Sequence, residues 1–248
     1  MTLPQNPSLS IIIPTFNAGH ILDIALSSII SQEYKNVEII IIDSISTDST
    51  ISIVQKHKKH ISHCLIEPDS GLYDAMNKGA KLAQGDWFYF LGADDILNNC
   101  LHKVATYLKN PRMVYYGDVF LPHKNKTYAG RFKWHTLVSK NINHQSIFYP
   151  RQIFEQYAYN LNYPILADYD LNLRLWGEGK FRFQYMPIVV AVHNDGGMSH
   201  HKQDEAFLRD KPVLVNRYFR RQITLRAGWH RIRGLGGSLI RALAGKKQ

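Results

Sequence analysis

Four short apolar runs, each ending in polar residues and followed by a helix-like repeat, constrain this chain more than any other feature. Leu9–Pro14 (LSIIIP) is rich in β-branched residues and stops at a proline, which predicts a buried strand. Asn17 to Ser31 places Ile21, Leu22, Ala25, Leu26, Ile29 and Ile30 at helical spacing, with Asn17 or Gly19 expected to begin the helix. Val37–Ile42 predicts a second strand ending at Asp43, and Ser46-Thr47-Asp48 is expected to cap a helix reaching about Lys58. Cys64-Leu65-Ile66 is a third strand, Tyr73–Ala83 a third helix, and Trp87–Leu91 a fourth strand that ends before Asp94-Asp95. Such an alternation predicts an α/β fold with a mostly parallel central sheet flanked by helices on both faces.

In open sheets of this kind ligands bind outside the carboxyl ends of the strands. Those ends carry Thr15 and Asn17, then Asp43, then Glu67 and Asp69, then Asp94 and Asp95. Any one of them can be a helix cap. Asp94 and Asp95 are harder to read that way, because adjacent carboxylates repel unless a cation or water screens them.

The later part is less regular. Val114–Phe120 predicts a strand with Asp118 inside it, where an Asp is out of place for propensity and invites a functional reading. Asn143–Tyr149 approaches another strand, Leu166–Trp176 opens a helix with Asp168 and Asp170 in its first turn, and Phe181–Val192 reads as two strand-like pieces around Pro187.

Composition narrows the function classes. With 248 residues, 45% hydrophobic and 20% charged, the chain can bury a sizeable core. Two cysteines, Cys64 and Cys100, make neither a disulfide framework nor a zinc site and fit a reducing compartment. No signal peptide is expected from MTLPQNPSLS, and no apolar run reaches the ~18 residues of a membrane span. The net charge of +10 is confined to the end: residues 211–248 hold ten Lys or Arg and no Asp or Glu, while residues 1–210 are neutral. A neutral body argues against a nucleic-acid groove. His57, His60 and His63 stand among lysines and read as a solvated helix face; His200-His201 reads as a loop. Gly234-Leu235-Gly236-Gly237 follows no strand and is no dinucleotide loop.

The ordered set Pro14-Thr15-Phe16-Asn17, Asp43 with Ser46-Thr47-Asp48, Glu67-Pro68-Asp69-Ser70-Gly71-Leu72-Tyr73-Asp74-Ala75-Met76-Asn77-Lys78-Gly79 and Ala93-Asp94-Asp95 resembles glycosyltransferase family 2 over roughly residues 8–200. The likeness is greatest to small bacterial members that build cell-surface polysaccharides. It implies a GT-A fold and an inverting transfer from a nucleoside-diphosphate sugar, a uridine donor favoured, to a hydroxyl acceptor that is lipid-linked or an oligosaccharide. By resemblance, Pro14, Thr15, Phe16, Asn17, Asp43, Asp69, Asn77, Lys78 and Asp94 would line the donor site, with Phe16 stacking on the base and Asp43 accepting from it. Asp94 and Asp95, completed by His193, would hold Mn²⁺ or Mg²⁺ against the diphosphate. Asp168 would be the catalytic base, and Asp118, His144, Gln145 and Asp170 would face the sugar or acceptor. The chain departs from the family pattern at Ser44, Ile45 and Ser49, where glycines are common, at Gly92, where a full Asp-x-Asp begins, and at Ala167, where an acid often stands.

The expected organisation is a nucleotide-sugar-binding half over 1–100, an acceptor-binding and catalytic-base half over 101–210, and a basic amphipathic helical tail over 211–248. In that tail Leu225, Trp229, Ile232, Leu239 and Leu243 recur near helical spacing, with Arg226, Arg231, Arg233 and Arg241 mostly on other faces of the same helix. Such a helix suits an anionic membrane surface, which predicts a cytoplasmic protein peripheral on the inner face of the cytoplasmic membrane; the alternative is a helix packed on the catalytic body with a solvated basic face. The rival readings are a non-catalytic nucleotide-sugar-binding module and a basic membrane or nucleic-acid adaptor.

Overall fold

The computed structural model describes residues 6–193 and 203–244, with side chains described as far as Leu225. Nine strands form one sheet: β1 (Leu9–Thr15), β2 (Val37–Asp43), β3 (His63–Ile66), β4 (Trp87–Phe90), β5 (Ile96–Leu97), β6 (Met113–Leu121), β7 (Lys126–Tyr128), β8 (Ile147–Pro150) and β9 (Arg182–Val192). Their order is β3-β2-β1-β4-β8-β6-β9-β5, with β7 paired to β6. The helices are α1 (Leu22–Ile30), α2 (Thr50–Lys56), α3 (Leu72–Leu82), α4 (Leu101–Ala105), α5 (Trp134–Ser139), α6 (Ala167–Glu178) and α7 (Glu205–Ala244).

Strands β1, β2 and β4 obey the apolar-run reading because both of their faces are covered, whereas β3 lies at the sheet edge with Cys64 and Ile66 exposed. Ile11 and Ile13 of β1 and Ile39 and Ile41 of β2 join the core on the α1 side, with Leu22, Leu26 and Ile29. Ile12, Ile40 and Ile42 join the opposite core, with Met76 of α3 and Leu171 and Leu175 of α6. Pairing is parallel through β3, β2, β1 and β4, then antiparallel on both sides of β8. The sheet is therefore mixed, with a run of four parallel strands at the β3 edge and a second parallel pair, β6 with β9, beyond β8. Gly79 lets α3 lie close on β1, since a Cβ there would meet Ile12 Cγ2 at 2.3 Å.

Three local expectations shift. Helix α1 starts at Leu22, not at Asn17 or Gly19, because Asn17 takes a left-handed conformation with φ of 48°. Helix α2 ends at Lys56 and the chain continues as a short 3-10 turn over Lys58–His60. Strand β9 is a single strand through Pro187 rather than two pieces. Its register against β6 slips between Tyr116–Tyr185 and Asp118–Val189, and that bulge accommodates a residue with no N–H to give the ladder.

Helix α7 begins at Glu205, so the 211 boundary falls inside it, and Phe207 and Phe219 are buried in the α3–α6 core. Trp134 stacks on Phe219 with centroids 6.4 Å apart. The side chains of Trp229, Ile232, Leu239, Leu243 and the arginines from Arg226 onward lie outside the described residues, as do residues 194–202 with His200-His201. Among the described residues no helix is long and apolar enough to cross a membrane.

Candidate active site

The loops after β1 and β2 are stapled together. Asp43, at the end of β2, is fully buried; its Oδ2 accepts from Thr15 Oγ1 at 2.7 Å and Ser46 Oγ at 2.6 Å, and its Oδ1 from the Ser46 N–H at 2.8 Å. Ser46 Oγ in turn accepts from the Asn17 N–H, and Asn17 Oδ1 accepts from the Thr47 N–H. Asp43 thus anchors the rim from below, while Phe16 stands out to solvent beside Pro14 and Thr15, both buried. The loop after β3 is held by Asp69, whose Oδ1 accepts from the Gly71 N–H at 2.9 Å, and by Lys78, whose Nζ lies 2.9 Å from Glu67 Oε1. The Glu67 hydrogen bond pushes Lys78 above its usual range and outweighs desolvation. Asn77, expected in the donor site, is committed elsewhere: its amide donates to Tyr159 O and accepts from the Tyr159 N–H, clamping that segment.

After β4 the chain turns at Gly92, and a Cβ there would lie 2.5 Å from Asp95 Oδ2 and 2.8 Å from Asp94 Oδ1. The two carboxylates therefore converge on the space that a side chain at 92 would fill, which gives a physical reason for glycine where a full Asp-x-Asp has its first acid. Burial, then the charge of Asp95, pushes Asp94 above the usual carboxylate range. Burial also penalises Asp95, but hydrogen bonding to His193 and Gln145 outweighs it and holds Asp95 below that range. His193 Nδ1 lies 2.8 Å from Asp95 Oδ1, and Gln145 Nε2 donates to Asp95 Oδ2 at 2.7 Å. The expected three-residue shell of Asp94, Asp95 and His193 is not assembled: among the described residues no group of three acidic, histidine or cysteine side chains closes around a point. His193 instead braces Asp95. Two converging carboxylates still fit a hard divalent cation, because Mg²⁺-type sites use one or two carboxylates and fill the rest with phosphate oxygens and water.

Asp168 opens α6 and is 4% exposed. Its Oδ1 accepts from Tyr73 Oη at 2.9 Å, its Oδ2 accepts from Asn141 Nδ2 at 2.9 Å, and His144 Nδ1 stands 3.5 Å from Oδ2. Burial and the charge of Asp168 push the Tyr73 phenol well above its usual range, so it remains a donor. Behind Asn141 runs a buried polar chain: Asn172 Nδ2 donates to Asn141 Oδ1 at 3.0 Å, and Tyr149 Oη donates to Asn172 Oδ1 at 2.9 Å. The short turn His144–Ser146 before β8 lies between the two acidic centres, with His144 toward Asp168 and Gln145 against Asp95. Gln145 Oε1 is buried and has no hydrogen-bond partner among the described residues.

Two predicted acceptor-side residues are turned to other work. Asp170, two positions from Asp168 and so about 200° around the helix, pairs with Arg174 Nη1 at 3.2 Å. Burial pushes Asp170 up, with Arg174 opposing. Asp118 accepts from the Gly130 N–H and from Tyr185 Oη, each at 2.6 Å, and so fixes the segment after β7. Tyr73, Asn141, Asn172 and Tyr149 were not singled out from the sequence as supports of the site. Tyr73 lies inside the Glu67–Gly79 motif; the two asparagines carry no local signal.

A mixed sheet whose strand ends gather paired carboxylates on one side and an enclosed carboxylate on the other is the architecture of a GT-A nucleotide-sugar transferase. The model of the family described as glycosyl transferase family 2 matches residues 10–168, and the chain belongs to that family. It is 38% identical over 236 residues to a "PGL/p-HBAD biosynthesis glycosyltransferase" of Mycobacterium bovis, covering 91% of this chain and 92% of the relative. It is 35% identical over 112 residues, 44% of this chain and 45% of the relative, to an uncharacterized glycosyltransferase of Haemophilus influenzae. Among solved structures it resembles S. aureus TarS 1–349 in complex with UDP, with TM-score 0.69, 16% identity, 84% of this chain and 65% of that longer chain. It also resembles the mannosyltransferase PcManGT from Pyrobaculum calidifontis in complex with GDP-Man and Mn²⁺, with TM-score 0.65, 20% identity, 86% of this chain and 70% of that one. These likenesses carry the fold.

Proposed function

We propose that this glycosyltransferase inverts the anomeric centre as it moves a sugar from a nucleoside-diphosphate sugar, a uridine donor favoured, onto a hydroxyl of a lipid-borne or oligosaccharide acceptor. The observation that carries the reading is the enclosed Asp168, held by Tyr73 and Asn141 and joined to Asp95 through the adjacent residues His144 and Gln145. In this reading Phe16 and the rim above Asp43 receive the base. Asp94 and Asp95 hold Mn²⁺ or Mg²⁺, which when bound supplies Lewis-acid stabilisation of the leaving diphosphate. The acceptor oxygen forms its bond to the anomeric carbon as the bond to the diphosphate oxygen breaks. Its proton passes to a carboxylate oxygen of Asp168. Tyr73 and Asn141 keep that carboxylate in one orientation, and the buried Gln145 Oε1, which meets no hydrogen-bond partner among the described residues, is available to a sugar hydroxyl. Relatives named for PGL/p-HBAD biosynthesis and the basic C-terminal segment are in keeping with a lipid-borne acceptor met at the inner membrane surface.

The test is release of nucleoside diphosphate by the full chain from a panel of uridine-, guanosine- and thymidine-diphosphate sugars, with Mn²⁺ and with excess chelator. Turnover with one donor that chelator abolishes and Mn²⁺ or Mg²⁺ restores is the expected result. Metal-saturated nucleotide binding without any release or transfer would favour a non-catalytic module instead.

A further inference from the structure

Asn17 and Ile45 both hold left-handed backbone, with φ of 48° and 52°. For asparagine this is ordinary; for a β-branched residue it is a genuine outlier. Ile45 is also 50% exposed, so at this position a locally strained backbone presents an apolar side chain to water. Phe16, at 66%, also stands out from this rim, as does Ile66 at the end of β3 beside Asp43. The hydrogen bonds place the two opposite each other. On one side of the pair the Ser44 N–H donates to Thr15 O at 2.9 Å. On the other the Asn17 N–H donates to Ser46 Oγ at 2.8 Å. Residues 15–17 and 44–46 thus close a ring, with Phe16 and Ile45 at the middle of its two arms and buried Asp43 anchoring it through Ser46. Neither a half-exposed isoleucine nor its strained backbone stabilises the unliganded protein; both are accounted for if something apolar and flat fills the gap.

We infer that Ile45 is the second wall of the nucleobase slot, facing Phe16, and that it sets how tightly the base of the donor is held. The inference rests on the donor reading above. A planar base between an aromatic face and a branched aliphatic chain buries both side chains, and the rigid ring spares the slot any ordering on binding. A glycine at 45 would relax the backbone and remove the wall, so backbone stability and base affinity should move in opposite directions.

The test is titration of the full chain with UDP and with GDP, each with Mn²⁺, for the wild type, Ile45→Gly, Ile45→Ala and Ile24→Ala, alongside thermal melting. Ile24, on the exposed side of α1, controls for loss of any surface isoleucine. Ile45→Gly is expected to melt no lower than wild type yet to bind the preferred nucleotide about tenfold more weakly. Ile45→Ala should weaken it similarly, and Ile24→Ala should not. Unchanged affinity in both Ile45 variants overturns the inference, as does lost affinity in Ile45→Gly accompanied by a clearly lower Tm, which would make Ile45 a support of the loop. If the wild type binds no nucleotide at all, the donor reading fails and the slot fails with it, a result distinct from either.

Discussion

At the residue scale, the two acidic centres differ in what their surroundings ask of them. Asp168 is supplied with donors, so its loss should be felt in chemistry rather than binding. Asp168→Asn is expected to lower turnover by ~10²-fold or more while UDP affinity stays near wild type, measured by single-donor kinetics and titration. Asp94 is in the opposite condition. Its raised position means that the folded state binds its proton more tightly than the unfolded chain does. The folded protein therefore loses stability as pH rises from the ordinary carboxylate range through the raised one, and at neutral pH the charge is a standing cost. Asp94→Asn should raise the melting temperature at pH 7, with the gain shrinking toward acid pH, and should abolish the effect of Mn²⁺ on nucleotide binding. A variant that melts lower at pH 7 would contradict the sign.

At the element scale, glycines decide where elements approach. Gly92→Asp would restore a full Asp-x-Asp on paper, but its Cβ would fall on the oxygens of Asp94 and Asp95. Metal-dependent UDP binding should therefore drop rather than improve, as read by titration with and without Mn²⁺. Gly177 does the same for the crossing of α6 and α7, where a Cβ would meet Tyr218 Cβ at 2.3 Å. Gly177→Ala is expected to destabilise the fold by about 1–3 kcal/mol, the usual cost of overpacking, in a denaturant titration.

At the scale of the whole molecule, charge is segregated more finely than the neutral total for residues 1–210 suggests. Residues 119–154 hold six Lys or Arg and no Asp or Glu. Part of that stretch, α5, packs against α7 through Trp134 and Phe219, and α7 itself exposes Arg209, Arg217, Arg220 and Arg221 with Leu208 and Val213. The full chain is expected to co-sediment with anionic vesicles and to release with salt. A cut near residue 215 would strip Phe219 from the core and confuse the result, so the truncation belongs after Leu225. Equal sedimentation of the truncated and full chains would assign the end of α7 a purely structural role.

The strands, their helices and the rim of carboxylates were legible in the sequence because a strand buried on both faces writes itself as an unbroken apolar run. Its polar terminus marks the strand end, and the first-half boundaries held to within a few residues except where Asn17 changed the local backbone; in the second half Pro187 sits inside one strand rather than between two. Asp168 was legible too, as an acid at a helix start. What surrounds it was not. Tyr73 and Asn141 reach Asp168 across 95 and 27 residues of chain, and nothing at either position signals that partnership. Likewise Asp170 looked equivalent to Asp168 in the linear order and was turned away by the helix. Ile45 read only as a departure from glycine until the ring of hydrogen bonds set it opposite Phe16. Local burial and capping are written residue by residue, so sequence determines them. Which polar groups meet in a site depends on how the sheet brings distant loops together, and only the tertiary structure decides that.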